Sequence, residues 1–353
     1  MTLRDVRPCR YGSHRVIAPA GVLPQAAHRL DATPVAYENE ILCDVEMLSI
    51  DSASFAQMRE LCGGDAARIG DAILTTVRER GKQQNPVTGS GGMFVGRVRE
   101  IGASLRDTIV LELGDRIASL VSLTLTPLQL DEVLDVNAAT SRVRVRGTAV
   151  LFESSTWTRL PDDIDDCVVL AVLDVAGAPA HVRRLAKHGE RVVVIGADGK
   201  SGILTCACAK EAVGPCGRVV GVVPDASTAG ARLLRDAHLV DALVEADARD
   251  ALVLESRVRA ALPQGADLVV NCVNVPGTEA GSILCASERG TIYFFSMATS
   301  FTAAALGAEG LGKDVTMIVG SGFAPNHAAT ALETLRDNPA ILRYYTATYG
   351  SAL

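Results

Sequence analysis

The run Arg191-Val-Val-Val-Ile195 leads directly into Gly196-Ala-Asp-Gly199-Lys-Ser-Gly202, and a helical stretch follows. No other segment limits the fold so tightly. An unbroken β-branched run predicts a strand buried on both faces, and such strands sit in parallel sheets covered by helices. Glycines spaced G-x-x-G-x-x-G between strand and helix are a variant of the dinucleotide fingerprint. They let the chain turn tightly, let backbone N–H groups approach a diphosphate, and let helix pack closely on strand. The helix start adds a positive field for the phosphates. The next predicted strand ends at Val223, and Asp225 follows, 26 residues after Gly199. A carboxylate there accepts hydrogen bonds from both ribose hydroxyls of an adenosine. Gly199-Lys200-Ser201 also matches the end of a P-loop, but that motif needs a glycine where Val194 stands. Gly196, Gly199, Lys200, Ser201, Gly202 and Asp225 are therefore the expected dinucleotide contacts.

The rest of the chain supports that frame. After Pro161, candidate strands at residues 191–195, 218–223, 242–244, 267–272, 291–295 and 315–319 alternate with helical stretches near 199–213, 227–238, 248–262 and 278–287. This rhythm predicts an α/β fold with a doubly wound parallel sheet. Residues 327–336 read as one more amphipathic helix. Up to about residue 160 the segments are shorter and punctuated by Gly and Pro, with strand signals at 40–47, 93–101 and 116–125. They predict an irregular β domain holding one helix over 65–80, where Ile69, Ile73, Leu74 and Val77 share a face. The expected division is a first domain over 1–160, completed by 321–353, and a nucleotide domain over 161–320.

Composition excludes several classes. Lys and Arg number 34 against 41 Asp and Glu, a net charge of −7, so no nucleic-acid surface is expected. The longest uncharged run, 290–308, contains Thr291, Ser296, Thr299, Ser300 and Thr302, which argues against a membrane span. Nine cysteines have no framework spacing and no secretory pattern opens the chain, so reduced thiols in a cytoplasm are expected.

At this point the chain resembles the medium-chain dehydrogenase/reductase superfamily. The resemblance is carried by residues 91–102 (Gly-Gly-Met-Phe-Val-Gly-Arg-Val-Arg-Glu-Ile-Gly), Leu113-Gly-Asp-Arg-Ile-Ala118, the glycine loop and residues 267–273. Within that superfamily it is similar to the L-erythro-3,5-diaminohexanoate dehydrogenase family of lysine fermentation. The strings concerned are Tyr11-Gly-Ser-His-Arg-Val16, Gly21-Val-Leu-Pro-Gln25, Asn85-Pro-Val-Thr-Gly-Ser-Gly-Gly-Met93, Leu173-Asp-Val-Ala-Gly-Ala-Pro179, Asn271-Cys-Val-Asn-Val-Pro276 and Phe295-Ser-Met-Ala-Thr-Ser-Phe301. The resemblance implies a GroES-like catalytic domain before a Rossmann nucleotide domain. It also implies NAD(P)-dependent oxidative deamination of a diamino acid at C3, leaving 5-amino-3-oxohexanoate and ammonium. Asn271, Ser296 and Thr299 join the cofactor contacts on the same ground.

Zinc members of the superfamily carry Gly-His-Glu where this chain has Gly91, Gly92 and Met93, and a cysteine ligand where it has Asp51. Cys206 and Cys208, at i and i+2 on a helix, face different ways and cannot pinch one ion. No metal is expected. His14, the one histidine inside a family string, reads first as structural and second as catalytic. Without a metal, amine oxidation needs a general base, because an ammonium has no lone pair to expel hydride. Asp51 follows the apolar residues 45–50, and Asp174 lies within the apolar residues 171–176. An acid in such a run is costly unless paired, so each is either functional or a cap or turn aspartate. Both are expected beside the nicotinamide, one holding the C5 ammonium and one serving the C3 amine. Glu153 is a third candidate. Lys82 or Lys313 would meet the substrate carboxylate, or lie solvated.

Two other readings share these features: a zinc-free quinone or enoyl reductase, and a non-catalytic NAD(P)-binding redox sensor. Asp225 would repel a 2′-phosphate, so NAD is expected in preference to NADP. The last strand, 315–319, is an expected sheet edge through which two copies form a homodimer.

Overall fold

In Arg142–Phe152, Val143 and Val145 are buried while Arg144 and Arg146 are exposed, the period of a strand with one face in a core. It belongs to the first of two compact units, Met1–Asp162 and Asp163–Leu353. The computed structural model describes residues 8–138, 140–320 and 322–351. In the first unit the elements are β1 (Val16–Ala18), β2 (Arg29–Leu30), β3 (Glu40–Ile50), α1 (Ser52–Leu61), α2 (Ala66–Arg80), β4 (Gly92–Ile101), β5 (Arg116–Ser119), β6 (Leu128–Asn137), β7 (Arg142–Phe152) and β8 (Trp157–Arg159). Six strands form an antiparallel sheet in the order β6-β7-β3-β4-β5-β8. Leu48, Phe55, Ile69, Ile73, Phe94, Ile117 and Val143 fill its core. Helix α2 covers the expected face. The Asp65 carboxylate caps it by accepting from the N–H of Ala67 at 2.9 Å and of Arg68 at 3.2 Å.

Two buried cations hold the early segments against this core. Arg15 donates from Nε to Glu40 Oε1 at 2.9 Å and from Nη2 to Glu40 Oε2 at 2.5 Å. Its remaining N–H groups reach the carbonyls of Asp31, Thr33 and Val35. Burial pushes the Glu40 carboxyl up, but the bonds from Arg15 and His14 outweigh it and hold the group low. A buried ion pair is tolerable when every donor and lone pair is met, as here. Lys82, wholly buried, donates to Pro24 O at 2.8 Å and Gln25 O at 3.2 Å, and burial pushes its ammonium down to about 8.

The second unit contains α3 (Asp166–Leu173), α4 (Gly177–Leu185), β9 (Arg191–Ile195), α5 (Lys200–Val213), β10 (Arg218–Val223), α6 (Ala229–Asp236), β11 (Ala242–Glu245), α7 (Ala251–Ala261), β12 (Ala266–Asn271), α8 (Glu279–Cys285), β13 (Ala286–Phe294), α9 (Phe301–Gly310), β14 (Thr316–Val319), α10 (His327–Asp337) and α11 (Pro339–Tyr349). Its six strands run parallel in the order β11-β10-β9-β12-β13-β14. The doubly wound sheet is thus present. Val193 of β9 sits between Val220 and Val269, apolar on both sides. β13 begins five residues before the expected 291, and α11 was not anticipated. α10 packs on α3, α4 and α5, and α11 on α3 and α6. The described C-terminal residues therefore lie in the second unit, where the sequence reading had them completing the first. No described helix is long and apolar enough to cross a membrane. All nine cysteines are free thiols. Cys43, Cys62, Cys206, Cys208 and Cys285 are buried, and Cys216 is exposed.

Candidate active site

β9 ends where its loop is stitched to the neighbouring strand: the N–H groups of Gly196 and Ala197 both donate to Val222 O, at 3.0 and 2.9 Å. Helix α5 then rests directly on that loop. A Cβ at Gly202 would lie 2.1 Å from Gly196 O, a distance that only glycine permits. The N-cap of α5 is Gly199, so no side chain occupies the first-turn N–H groups. A helix start left uncapped in this way receives an anion. Asp225, just past β10, is exposed and accepts the Ser227 N–H at 2.7 Å. Bonds from the Ser227 hydroxyl and backbone hold its carboxyl below the usual range. Past β13, Ser296 Oγ accepts the Ala298 N–H at 3.1 Å, and the buried Thr299 hydroxyl has no partner among the described residues. These groups follow the carboxyl ends of parallel strands, where doubly wound sheets bind ligands. A dinucleotide fits them.

Asn271 has a different part. Its Nδ2 donates to Thr278 Oγ1 at 2.8 Å and Ser282 Oγ at 2.9 Å, and its Oδ1 accepts from Val273 N at 2.9 Å. The side chain ties the end of β12 to α8, so any contact with a cofactor depends on the loop it fixes. Lys200, the first residue of α5, pairs with Asp174. Ser201 beside it is buried.

Of the two aspartates, Asp174 is placed against local helix preference. Asp174 is the C-cap of α3, where a negative charge opposes the helix dipole by about 0.3–1 kcal/mol, and Lys200 offsets it. Asp51 stands at the N-cap of α1 yet makes no cap bond with its side chain. Its Oδ2 accepts the Gly91 N–H at 2.9 Å instead. Neither is an ordinary capping aspartate. Glu153 lies at the surface after β7, bonded by Asn39 Nδ2 at 3.3 Å and beside Arg10, so its partners come from the segment before β3. Lys313 donates to Ala286 O at 2.9 Å, and it and Lys82 both tie down backbone carbonyls. His14 accepts the Cys9 N–H at Nδ1 and bonds Glu40 through Nε2, a structural pairing. Among the described residues no three His, Cys, Asp or Glu side chains gather as a metal site needs.

The chemistry of residues 83–91 was not read from the sequence. Ser54 Oγ lies 2.6 Å from Thr88 Oγ1 and 2.5 Å from Ser90 Oγ. Asn85 donates to Gln57 Oε1 at 2.8 Å and accepts from the N–H of Val87 and Thr88. These bonds staple the segment before β4 to the start of α1. The signal in the sequence is the clustering of Asn85, Thr88 and Ser90 within six residues.

Comparison with known proteins fits this geometry. The family described as "L-erythro-3,5-diaminohexanoate dehydrogenase N-terminal domain" matches residues 14–161. Among solved structures, a mycobacterial quinone oxidoreductase covers 90% of this chain and 84% of its own at a TM-score of 0.53 and 18% identity. A mycobacterial protein complexed with NADPH covers 91% and 84% at a TM-score of 0.53 and 17% identity. At that identity the likeness shows the fold alone. L-erythro-3,5-diaminohexanoate dehydrogenase of Acetoanaerobium sticklandii is 49% identical over 94% of this chain and 96% of its own. The enzyme of the same name from Fusobacterium nucleatum is 48% identical over 95% and 96%. With full-length relatives at this identity, matched along both units, the chain is a dehydrogenase and belongs to the L-erythro-3,5-diaminohexanoate dehydrogenase family.

Proposed function

We propose that this chain oxidatively deaminates L-erythro-3,5-diaminohexanoate at C3: hydride passes from C3 to a nicotinamide dinucleotide, and water hydrolyses the resulting imine to ammonium and 5-amino-3-oxohexanoate. The observation that carries the reading is the glycine loop packed under the uncapped start of α5, a fit for a dinucleotide, in a chain whose relatives bear that name. A substrate with two amines is a cation at neutral pH, and carboxylates attract it where a metal ion would repel it. Gly196, Gly199, Ser201, Gly202 and Asp225 hold the dinucleotide, and Lys200, Ser296 and Thr299 are its further contacts. When bound, the nicotinamide supplies the hydride acceptor. Asp174, paired with a lysine of the glycine loop, takes the proton that frees the C3 amine. Asp51, held on the Gly91 N–H, anchors the C5 ammonium. The anionic Asp225 carboxyl supports NAD over NADP. Nine free thiols support a reducing, cytoplasmic setting.

The test is absorbance at 340 nm with the diamino acid and either NAD or NADP. Reduction with the diamino acid, faster with NAD, is expected. No reduction, with NADPH oxidised by a quinone instead, overturns the proposal in favour of a quinone reductase. Cofactor binding without any turnover overturns it in favour of a sensor.

A further inference from the structure

Residues 82, 83 and 85 are all buried and polar, and two of them have hydrogen-bond partners. Lys82 donates to two carbonyls. The Asn85 amide makes four bonds, two through Nδ2 to Ser54 O and Gln57 Oε1, and two through Oδ1 from Val87 and Thr88. Gln83 differs. It is 0% exposed, and neither its Nε2 nor its Oε1 has a hydrogen-bond partner among the described residues. A buried amide left this way destabilises a fold, and an apolar side chain of the same shape avoids the cost. The backbone around Gln83 is as tight as its neighbours' bonds suggest. Gln83 O lies 2.7 Å from where a Cβ of Gly91 would project, and Thr124 N lies 2.9 Å from the same point. Gly91 is the residue whose N–H holds Asp51 at 2.9 Å.

We infer that Gln83 is a specificity-determining residue: its amide oxygen is a second acceptor, beside Asp51, for the C5 ammonium of the diamino acid. This rests on the proposed function. An ammonium has three donors, and one carboxylate with an oxygen already on Gly91 does not satisfy them all. An amide oxygen adds an acceptor without adding a second negative charge. The unmet cost in the free protein is then returned on binding, and a ligand without the C5 amine gains nothing from it.

The experiment compares wild-type enzyme with Gln83→Met, which keeps the length and apolar stem but removes the amide. Three quantities are read: KM and kcat for the diamino acid, the inhibition constant of 3-aminohexanoate (which lacks the C5 amine), and the melting temperature. The expected result is a KM raised at least ~10-fold, equivalent to about 1.4 kcal/mol. With it, kcat stays within about 3-fold, the inhibition constant is unchanged, and the melting temperature is equal or higher. An unchanged KM overturns the inference, as does an equal weakening of both ligands. If Gln83→Met does not fold, Gln83→Asn withdraws the amide by one methylene. It should show the same ligand-selective loss, and its absence counts against the role. Wild-type turnover is measured first: without it the proposed function fails and takes this inference with it. Turnover with no selective loss in the variants defeats this inference alone.

Discussion

Lys82 is a cation that folding makes harder to keep charged. Its folded pKa of about 8 lies below the 10.5 of a free lysine. Between those values the unfolded chain binds more protons than the folded one, so stability from this group rises with pH. Below pH 8 the lysine is charged in both states and its burial is a constant penalty. Urea unfolding of wild type and Lys82→Met should therefore diverge in favour of wild type by about 1–2 kcal/mol between pH 7.5 and pH 10; parallel curves would count against the burial argument. The carboxylates make separate predictions. If each carboxylate contacts a substrate amine in the transition state, Asp51→Asn and Asp174→Asn should each lower kcat/KM by roughly 30-fold or more. Asp174→Asn should abolish the acid limb of the pH–rate profile, whereas Asp51→Asn should act mainly on KM. Asp225→Ser should narrow the NAD/NADP preference at least ~10-fold in competing-cofactor assays. Asp51 and Asp174 could be singled out beforehand because an acid among apolar residues is conspicuous. Gln83 could not: a glutamine between Lys82 and Gln84 looks like surface until its burial is seen.

Elements were legible where burial is uniform. β9 and β10 lie inside a parallel sheet, so unbroken apolar runs mark both of their ends. β13 was expected to start late because Ser287, Glu288 and Arg289 precede its apolar part, although Ala286 already pairs with Ala266. β6 carries Asp131, Glu132 and Asp135 on a largely solvated strand and has no apolar run to detect. β7 does alternate, and α11 does open on Asn338-Pro339, a normal helix start, so both elements carry a signal in the sequence. The glycine loop was the most legible element because its glycines answer to geometry. Gly202→Ala should make that visible. Its methyl would meet Gly196 O at 2.1 Å and Ala197 backbone at 2.7 Å, so loop and helix must separate. NADH titration by fluorescence should show affinity at least ~10-fold weaker, with a lower melting temperature. Unaltered affinity would mean that the loop's packing does not shape the dinucleotide contact.

At the scale of the whole molecule, the two edges of the parallel sheet differ. The β11 edge ends in the exposed Glu245 and is flanked by Asp241 paired with Lys210, charges that discourage strand pairing. The β14 edge, Thr316-Met-Ile-Val319, has no charge. Val319 is 59% exposed, and Phe301 and Leu306 of α9 are 60% and 62% exposed. An unblocked edge beside apolar residues suits a second copy of the chain. Light scattering should give twice the 37.0 kDa of one chain, and Val319→Lys should shift that toward the single chain; a 37.0 kDa species from wild type at micromolar concentration would sink the dimer. The thiols have a practical corollary. Burial pushes Cys43 and Cys285 up to about 12 and Cys208 to about 11, so they stay protonated and inert at neutral pH. Cys216 is exposed, and the Ser13 side chain holds the half-exposed Cys9 thiol low. The chain thus offers a dye chemist an attachment point in each unit, Cys9 in the first and Cys216 in the second, before any cysteine has been engineered.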